Sequence, residues 1–456
     1  MRSTGFGRRV IEGPGRDLVV VPRISEDADL AADHSAYIEL KEHIRAALMS
    51  RIDPSVASRM PRPALQADVA KLVNEIATQE RIHLNEAEES RLAVELTDDM
   101  IGLGPLEPLL DDDEVTDVLA NGPFDIYVER RGKLERTSAR FRDAQHLVNV
   151  AQRISSAVGR RVDEASPMVD ARLPDGSRVN IVLPPLVLNG GTISIRKFPK
   201  QNITLDMMVR QQNVSAELAR MLQIAARCRL NILISGGTGS GKTTLLNAIS
   251  QHIDNDERII TVEDAVELRL QQPHVVQMET RPPNLEGAGH VAQRELVRNA
   301  LRMRPDRIVV GEVRGAEAFD MLQAMNTGHD GSMSTVHANS PRDALYRVEN
   351  MVLMATGNLP LRAIRMNVAS ALHLVVHIER MRDGVRRVQN VVEVAGMEGE
   401  IVTLRELFTY RYRGERGDGA IEGGFEPARV RPDFLARAAR LGLETELLEA
   451  LGIVGG

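Results

Sequence analysis

The sequence contains no tryptophan, and aromatic residues make up only 3% of its 456 residues. Proteins that bind single-stranded nucleic acid without sequence preference use aromatic side chains as stacking platforms for the bases. A formal net charge of -7 also excludes a surface that is basic over its whole extent, although it leaves room for a local basic groove. We therefore expect no nucleic-acid partner.

Cysteine and long apolar runs are scarce as well. Cys228 is the only cysteine, so the chain cannot form an intramolecular disulfide, which suits a reducing compartment. No uninterrupted apolar stretch approaches the roughly 20 residues that a helix needs to cross a membrane. The N-terminal residues also lack the apolar core of a signal peptide. We expect a cytoplasmic protein that spans no membrane and reaches one only through its partners.

Apolar residues are abundant enough for several cores. Hydrophobic residues make up 43% of the chain and charged residues 27%, and its length exceeds what one core usually organises. Changes of pattern along the chain predict six segments. They are a mobile arm (1–33), a helical module (34–99), an α+β lobe (100–200), a linker (201–212), an α/β domain (213–400), and a C-terminal segment of strand, loop and helical tail (401–456).

Periodicity predicts the elements inside these segments. Apolar residues at helical spacing predict three helices in the helical module. In the α+β lobe we expect a helix at 145–158 and strands at 115–120, 125–129 and 179–184. An alternation of short apolar strands with helices predicts a parallel sheet in the α/β domain, with strands at 232–235, 259–262, 308–310, 333–336 and 372–378. We expect a hairpin strand at 386–394, a glycine-rich loop at 414–424 and a helical tail at 432–451.

The most specific motif lies between a predicted buried strand and a predicted helix. Glycines at its fixed positions let successive backbone N–H groups point at phosphate oxygens. Its lysine can reach the β- and γ-phosphates, and the threonine after it can ligate Mg²⁺. The strand–loop–helix setting predicts a nucleotide site rather than a glycine-rich turn without a ligand. The motif fits G-x-x-x-x-G-K-[ST] with Gly236, Gly237, Thr238, Gly239, Ser240, Gly241, Lys242, Thr243 and Thr244.

Acidic residues follow two further predicted strands. Glu263 comes directly after the strand at 259–262, with Glu267 one turn later, and Glu312 comes after the strand at 308–310. The carboxyl ends of parallel strands meet at one edge of a sheet, where the phosphates of a nucleotide lie. One carboxylate there can organise the hydration shell of Mg²⁺ while another orients or deprotonates the attacking water. The pattern therefore indicates that these acids are catalytic residues of an ATPase rather than solvent-exposed residues at strand ends.

Two histidines flank a later strand. His329 precedes the strand at 333–336 and His337 follows it. An imidazole at either position could hydrogen-bond the region of the γ-phosphate, and ordinary loop histidines remain the alternative. A zinc site is disfavoured, because no third ligand accompanies the two histidines at a recognised spacing.

These motifs together resemble those of the secretion-superfamily ATPases, which drive type II secretion, type IV pili and type IV secretion. In that family the P-loop is the Walker A motif, 262–264 the Asp box, 311–315 the Walker B motif and 328–337 the His box. The α+β lobe resembles the CpaF/TadA branch, which powers tight-adherence (Flp-type) pili. The matching motifs there are 102–110, 121–123, 127–130, 159–163, 170–180 and 195–198.

The resemblance implies an α/β fold in which a RecA-like P-loop NTPase domain follows a PAS-like α+β domain and an N-terminal helical module. It implies a homohexameric ring that binds ATP and Mg²⁺ between the two lobes. Arginine often stabilises the negative charge of the transition state in such sites. Arg178 and Arg196 match the family motifs and are the first candidates, and Arg160 and Arg161 are the next. The alternative is that these arginines pair with acids at the surface between the lobes.

The resemblance also suggests roles for the acids and for the whole protein. We expect Glu263 to activate water and Glu312, with Thr243, to organise Mg²⁺, and the reverse assignment of the two acids stays open. The implied function is a motor at the cytoplasmic face of the inner membrane that acts on the platform proteins of a pilus or secretion machine. A type IV secretion ATPase that exports protein or DNA is one alternative. A nucleotide-dependent scaffold or regulator without hydrolysis is another.

Overall fold

The computed structural model describes residues 37, 40–52, 57, 60–130, 132–198, 202–281, 288–417 and 419–453. The predicted mobile arm at 1–33 lies outside these residues. Within the described part of the chain, no helix combines the length and the apolar character that a membrane crossing requires.

A small helical module precedes the two sheets, as the sequence predicts. Residues 40–49 are helical, and α1 (Arg62–Glu80) and α2 (Glu86–Ile101) follow them. Helix α2 begins at a capping box: the Asn85 side chain accepts from Glu88 N, and the Glu88 carboxylate accepts from Asn85 N. These reciprocal bonds satisfy backbone donors that a helix start leaves without partners. The apolar faces of the module form one buried cluster that includes Ile44, Leu48, Val69, Val73 and Leu92.

The α+β lobe is an antiparallel six-stranded sheet with one long helix on its buried face. The strands pair in the order β3-β2-β1-β6-β5-β4. Alternate residues of β5 are buried, as expected where one face of a sheet covers a core, and Leu147, Val150 and Ile154 of α4 complete that core. The elements are α3 (Glu107–Asp111), β1 (Val115–Ala120), β2 (Ile126–Arg130), β3 (Lys133–Arg136), α4 (Ala144–Ala157), β4 (Met168–Arg172), β5 (Arg178–Val182) and β6 (Thr192–Arg196).

The P-loop domain contains a nine-stranded sheet in the order β15-β14-β13-β12-β7-β11-β10-β8-β9. From β12 to β9 the neighbouring strands are parallel, and β13, β14 and β15 are added antiparallel. The first half of the domain contains α5 (Leu205–Arg210), α6 (Ala216–Arg227), β7 (Ile232–Gly236), α7 (Lys242–Ser250), β8 (Ile259–Glu263), β9 (Val275–Glu279), α8 (Gln293–Ala300) and β10 (Arg307–Val313). The second half contains α9 (Glu317–Asn326), β11 (Met333–His337), α10 (Pro341–Thr356), α11 (Leu361–Ala371), β12 (Leu374–Arg380), β13 (Arg386–Glu398), β14 (Ile401–Glu415), β15 (Ile421–Pro427), α12 (Leu435–Arg440) and α13 (Glu444–Ala450).

Strands β7 and β8 are buried along their whole length, which is typical of a parallel sheet with helices on both faces. The apolar runs in the sequence correspond to this burial, and the five strands predicted for the domain are all present. The predicted fold class, an α/β P-loop domain behind an α+β lobe and a helical module, is therefore confirmed.

The glycine-rich stretch at 414–424 is not the predicted loop. It holds the end of β14, a short turn and the start of β15, and these two strands extend the main sheet. A Cβ on Gly423 would lie 2.5 Å from Tyr410 Cζ and 2.6 Å from Arg411 O. The glycine is thus needed for close packing within the sheet. The prediction was wrong because a glycine-rich composition is also typical of turns.

Two smaller expectations also change. The predicted linker contains helix α5, which begins where the Thr204 side chain accepts from Met207 N. The predicted helical tail consists of two short helices, α12 and α13, separated at Gly442, whose φ is +71°. A left-handed residue ends a helix because it turns the backbone away from the helical path.

Candidate functional site

The P-loop has a backbone that only its glycines permit. A Cβ on Gly236 would lie 2.5 Å from Ser240 Oγ and closer still to Ile378 O. Gly239 and Gly241 have φ of +69° and +97°, in the left-handed region that favours glycine. Helix α7 starts directly after Gly241. The loop therefore ends at a helix N-terminus, where free N–H groups and the helix dipole favour bound anions.

Lys242 is the first residue of α7, and its side chain folds back over the loop. Its Nζ donates to Gly237 O at 2.8 Å, and the residue is buried. Burial lowers the pKa of the ammonium group, and the negative charge of Glu312 opposes that effect. A buried cation with few charged partners is well placed to bind phosphate oxygens.

Glu312 lies on β10 at the same sheet edge and has two basic neighbours. One carboxylate oxygen, Oε2, accepts from Arg314 Nε at 2.8 Å. The other, Oε1, lies 3.0 Å from His337 Nε2 but receives no hydrogen bond of good geometry. Burial and the positive charge of Lys242 lower the pKa of His337, against the pull of Glu312. Glu312 Oε1, which has no hydrogen-bond partner, keeps acceptor capacity for a further ligand.

His329 and His337 lie at opposite edges of the sheet. Strands β7 and β11 are parallel, with Met333 paired to Ile232 and His337 paired to Gly236. His337 is consequently next to the P-loop, whereas His329 precedes the other end of the strand. The Nδ1 atom of His329 is 3.3 Å from Ala324 O, at the end of α9. The structure thus does not bring His329 to the phosphate site, because the length of β11 separates the two histidines.

Glu263 is buried beneath the segment that follows β8, with 2% of its surface exposed. Its Oε2 accepts from Glu267 N at 2.7 Å and from Leu268 N at 2.9 Å. Burial raises the pKa of Glu263 to about 7, although these two hydrogen bonds counteract the shift. The expected water-activating group therefore supports a loop, which we name the acid loop (264–267), rather than facing open space.

A cavity of about 990 Å³ lies between the α+β lobe and the P-loop domain. Its volume is in the range of small-molecule and cofactor sites. Glu267 at the end of the acid loop lines it, and so does Arg314 after Glu312. The P-loop domain further contributes Thr243, Thr244, Asn247, Asp264 and Glu279, and the lobe contributes Asp117, Arg160, Asp170, Arg172, Arg178, Arg196 and Phe198.

The two arginines singled out from the sequence line this cavity and pair with acids of their own lobe. Arg178 Nε donates to Asp170 Oδ1 at 3.2 Å, and Arg196 Nε donates to Asp117 Oδ1 at 3.1 Å. Both side chains are more than half exposed. Arg161 pairs with its neighbour Asp163 and is not among the cavity-lining residues.

Glu267, Arg172 and Arg314 are the site residues to which sequence reasoning gave no role. Each lies within or shortly after a motif used for the resemblance. The motifs therefore pointed to these segments of the chain, but they did not show which side chains of each segment reach the site. Arg172 Nη1 donates to Glu279 Oε2 at 2.9 Å, across the boundary between the lobes. That contact joins residues 107 positions apart, which no local pattern could predict.

The residues present fit a magnesium ion that is bound together with a nucleotide. Within the described ranges, no group of three or more His, Cys, Asp or Glu residues could hold a metal by itself. Mg²⁺ in nucleotide sites typically takes one or two protein oxygens and completes its shell with phosphate oxygens and water. Thr243, which lines the cavity, and Glu312, with its free acceptor capacity, could supply such oxygens.

Comparisons with known proteins show a family and several relatives of this chain. The family described as type II/IV secretion system protein matches residues 99–405. A putative conjugal transfer protein of Mycobacterium tuberculosis is 41% identical over 312 residues, which cover 67% of this chain and 88% of that protein. The type IV secretion system protein PtlH of Bordetella pertussis is 35% identical over 324 residues, covering 65% and 94%. Among solved structures, one similar chain is the VirB11 ATPase from the Brucella suis type IV secretion system, in complex with sulphate. Its sequence is 30% identical to this one, and the alignment covers 63% of this chain and 95% of that chain with a TM-score of 0.35.

Proposed function

The chain belongs to the type II/IV secretion system protein family, whose match spans the α+β lobe and most of the P-loop domain, and from this premise we propose that it hydrolyses ATP to drive a secretion machine. The observation that carries the proposal is the convergence of a P-loop, Glu312 and the acid loop at one sheet edge beside a cavity of about 990 Å³. A polar cavity of that size, next to a phosphate-binding loop, suits a nucleoside triphosphate.

The P-loop binds the phosphates in this proposal. Its backbone N–H groups and Lys242 contact the oxygens, because a helix N-terminus and a buried ammonium group both favour negative charge. Thr243 and Glu312 would hold Mg²⁺, which would neutralise negative charge on the β- and γ-phosphate oxygens. His337 Nε2 lies 3.0 Å from Glu312 Oε1, so the two side chains are neighbours beside the P-loop.

Glu267 is the acid that we propose orients the attacking water, since its side chain lines the cavity. Glu263 then acts through Glu267, because its carboxylate accepts the Glu267 N–H and holds the acid loop from beneath. Glu263 of the predicted Asp box thus stays in the reaction, and Glu267, three residues beyond that box, joins it. This assignment gives the buried residue a positioning role and the exposed residue the contact with water.

Arg178 and Arg196 are the arginines that we propose stabilise the charge of the transition state. Their side chains line the cavity, are more than half exposed and hydrogen-bond acids of the same lobe, so a phosphoryl group in the cavity would compete with those acids for them. In the homohexameric ring that the family resemblance implies, such arginines can serve the nucleotide of a neighbouring subunit.

The machine that we propose first is a tight-adherence (Flp-type) pilus of the CpaF/TadA branch. The support is the set of motifs in the α+β lobe between residues 102 and 198, which resemble that branch. The ring would act on integral-membrane platform proteins at the cytoplasmic face of the inner membrane, where rotation between the lobes adds or removes pilin.

Type IV secretion is the second candidate, and the relatives favour it. The names of the two relatives compared above refer to conjugal transfer and to a type IV secretion system. Deletion of the gene, complemented with the wild type or with a Lys242→Ala variant, distinguishes the candidates. Loss of surface pili supports the pilus motor, whereas loss of DNA or protein transfer with normal pili supports the export ATPase.

Release of phosphate by the purified full chain tests the proposed hydrolysis. We expect Lys242→Ala to lower turnover at least about 100-fold, since it removes the charge on the β- and γ-phosphates. Lys71→Ala, which changes an exposed lysine of the helical module, is the matched control and should keep wild-type turnover. Nucleotide binding without any turnover by the wild type would instead support a scaffold or regulator.

A further inference from the structure

The acid loop is held by side chains from both lobes, and one of them is an arginine of the α+β lobe. We propose that Arg172 is a positioning residue for Glu267, so that hydrolysis requires the two lobes to be in their closed arrangement. This inference rests on the proposed ATPase function and deepens it. Through the hydrogen bond from Arg172 to Val266 O, the α+β lobe controls the chemistry of the P-loop domain.

Arg172 is first fixed within its own lobe. Its Nε donates to Gly176 O at 3.1 Å, and its guanidinium lies 5.5 Å from the centre of the Phe198 ring. A Cβ on Gly176 would lie 3.1 Å from Phe198 Cγ, so the glycine lets this ring come close. Arg269 of the P-loop domain lies over the same ring at 3.8 Å. Arg172 therefore presents its two terminal nitrogens to the other lobe in a defined orientation.

Those nitrogens bind the P-loop domain at two points. Nη1 donates to Glu279 Oε2 at 2.9 Å, at the end of β9, and Nη2 donates to Val266 O in the acid loop. The same Glu279 Oε2 accepts from Val266 N at 3.5 Å. Arg172 and Glu279 thus hydrogen-bond the backbone C=O and N–H of Val266, the residue directly before Glu267.

The other supports of the acid loop belong to the P-loop domain itself. Glu263 accepts from Glu267 N, and the Thr280 hydroxyl donates to Asp264 O at 3.1 Å. Of the hydrogen bonds in the described part of the chain, only that of Arg172 reaches the backbone of the acid loop from the α+β lobe. Separation of the lobes would therefore remove one support and leave the others in place.

The physical consequence is a change in the position of Glu267. Hydrogen bonds weaken steeply as they lengthen, so a shift of the lobe by 1 or 2 Å breaks the contact with Val266. Misplacement of a catalytic group by about 1 Å can cost on the order of 100-fold in rate. Arg172 differs in this respect from Arg178 and Arg196, whose hydrogen bonds go to acids of their own lobe. The charge of Arg178 attracts the carboxylates of Glu267 and Asp264, but Arg172 binds the backbone of the acid loop.

The test compares turnover of MgATP by the full chain with three substitutions. We expect Arg172→Ala to lower kcat about 10- to 100-fold while KM for ATP changes less than about threefold. Glu279→Gln should lower kcat in the same direction, because it weakens the same clamp. The double variant should lose no more than the worse single variant. Arg136→Ala, an exposed arginine of the same lobe that pairs with Asp125, is the matched control and should keep wild-type kcat.

Two results would overturn the inference. One is a wild-type kcat in Arg172→Ala, and the other is a raised KM in Arg172→Ala with an unaffected Glu279→Gln, which would mean that Arg172 contacts the nucleotide directly. Hydrogen exchange of residues 264–268 provides a readout independent of activity. Arg172→Ala should speed exchange there even if the wild type has no turnover, so failure of the proposed ATPase and failure of the clamp are distinguishable.

Discussion

At the residue scale, the burial of Glu263 couples the protonation of one carboxyl group to the stability of the fold. Its pKa is raised to about 7 in the folded state, compared with an ordinary value of 4.5. The folded state therefore binds more protons than the unfolded state between these two values. The contribution of Glu263 to stability is consequently lost as the pH rises from about 4.5 through about 7.

Glu263→Gln is expected to remove this pH dependence. Glutamine keeps an acceptor for the N–H groups of Glu267 and Leu268 and carries no charge to bury. The variant should exceed the wild type in free energy of unfolding by about 1 kcal/mol at pH 5 and by roughly 3 kcal/mol at pH 8. Urea unfolding of both proteins at the two pH values measures the difference. Equal differences at pH 5 and pH 8 would show that the carboxylate is not buried.

At the element scale, the added strands β14 and β15 depend on the absence of a side chain at one position. A methyl group on Gly423 would overlap the Tyr410 ring and Arg411 O, which belong to the neighbouring strand. On Gly424 the nearest atom would be Arg413 Nη2 at 3.8 Å, which is ordinary van der Waals contact. Two adjacent glycines of one strand therefore face very different surroundings.

Gly423→Ala should destabilise this edge of the sheet by about 1 to 3 kcal/mol, because overpacking forces the strands apart. Gly424→Ala is the matched control, with an expected change within about 0.5 kcal/mol. Hydrogen exchange of the β15 amides reports the local free energy of opening in both variants. Equal protection in the two variants would contradict the close packing of Gly423 on β14.

At the scale of the whole molecule, the two lobes are joined at more than one place. Besides the Arg172 clamp, Arg380 Nη2 at the end of β12 donates to Gly132 O in the β2–β3 turn at 3.0 Å. Arg386 at the start of β13 donates through Nε to Gly239 O of the P-loop at 2.9 Å. The β12–β13 hairpin thus contacts both the α+β lobe and the P-loop.

Mixing of inactive variants tests whether Arg178 serves a neighbouring subunit. Arg178→Ala subunits keep an intact P-loop, and Lys242→Ala subunits keep an intact arginine. If Arg178 acts across the interface, a mixed ring should hydrolyse ATP well above the sum of the two pure variants. Phosphate release at several mixing ratios measures this recovery. Strictly additive rates would assign Arg178 to the nucleotide of its own subunit.

The sequence by itself determined the P-loop, the five strands predicted for the parallel sheet, three of the six strands in the sheet of the α+β lobe, and the two acidic strand ends. These features depend on short-range patterns: burial follows apolar runs, and the phosphate loop needs glycines at fixed spacing. The same local reasoning failed at 414–424, where glycines serve packing against Tyr410 rather than a turn.

Only the tertiary structure decided which residues of each motif reach the site. His329 and His337 belong to one motif, but the direction of β11 takes them to opposite edges of the sheet. Glu263 and Glu267 are four residues apart, but only Glu267 lines the cavity. Arg172 and Val266 are 94 positions apart, and the packing of the two lobes brings them into contact. The physical reason is that spacing fixes local backbone geometry, whereas the contacts of a side chain depend on how distant elements pack.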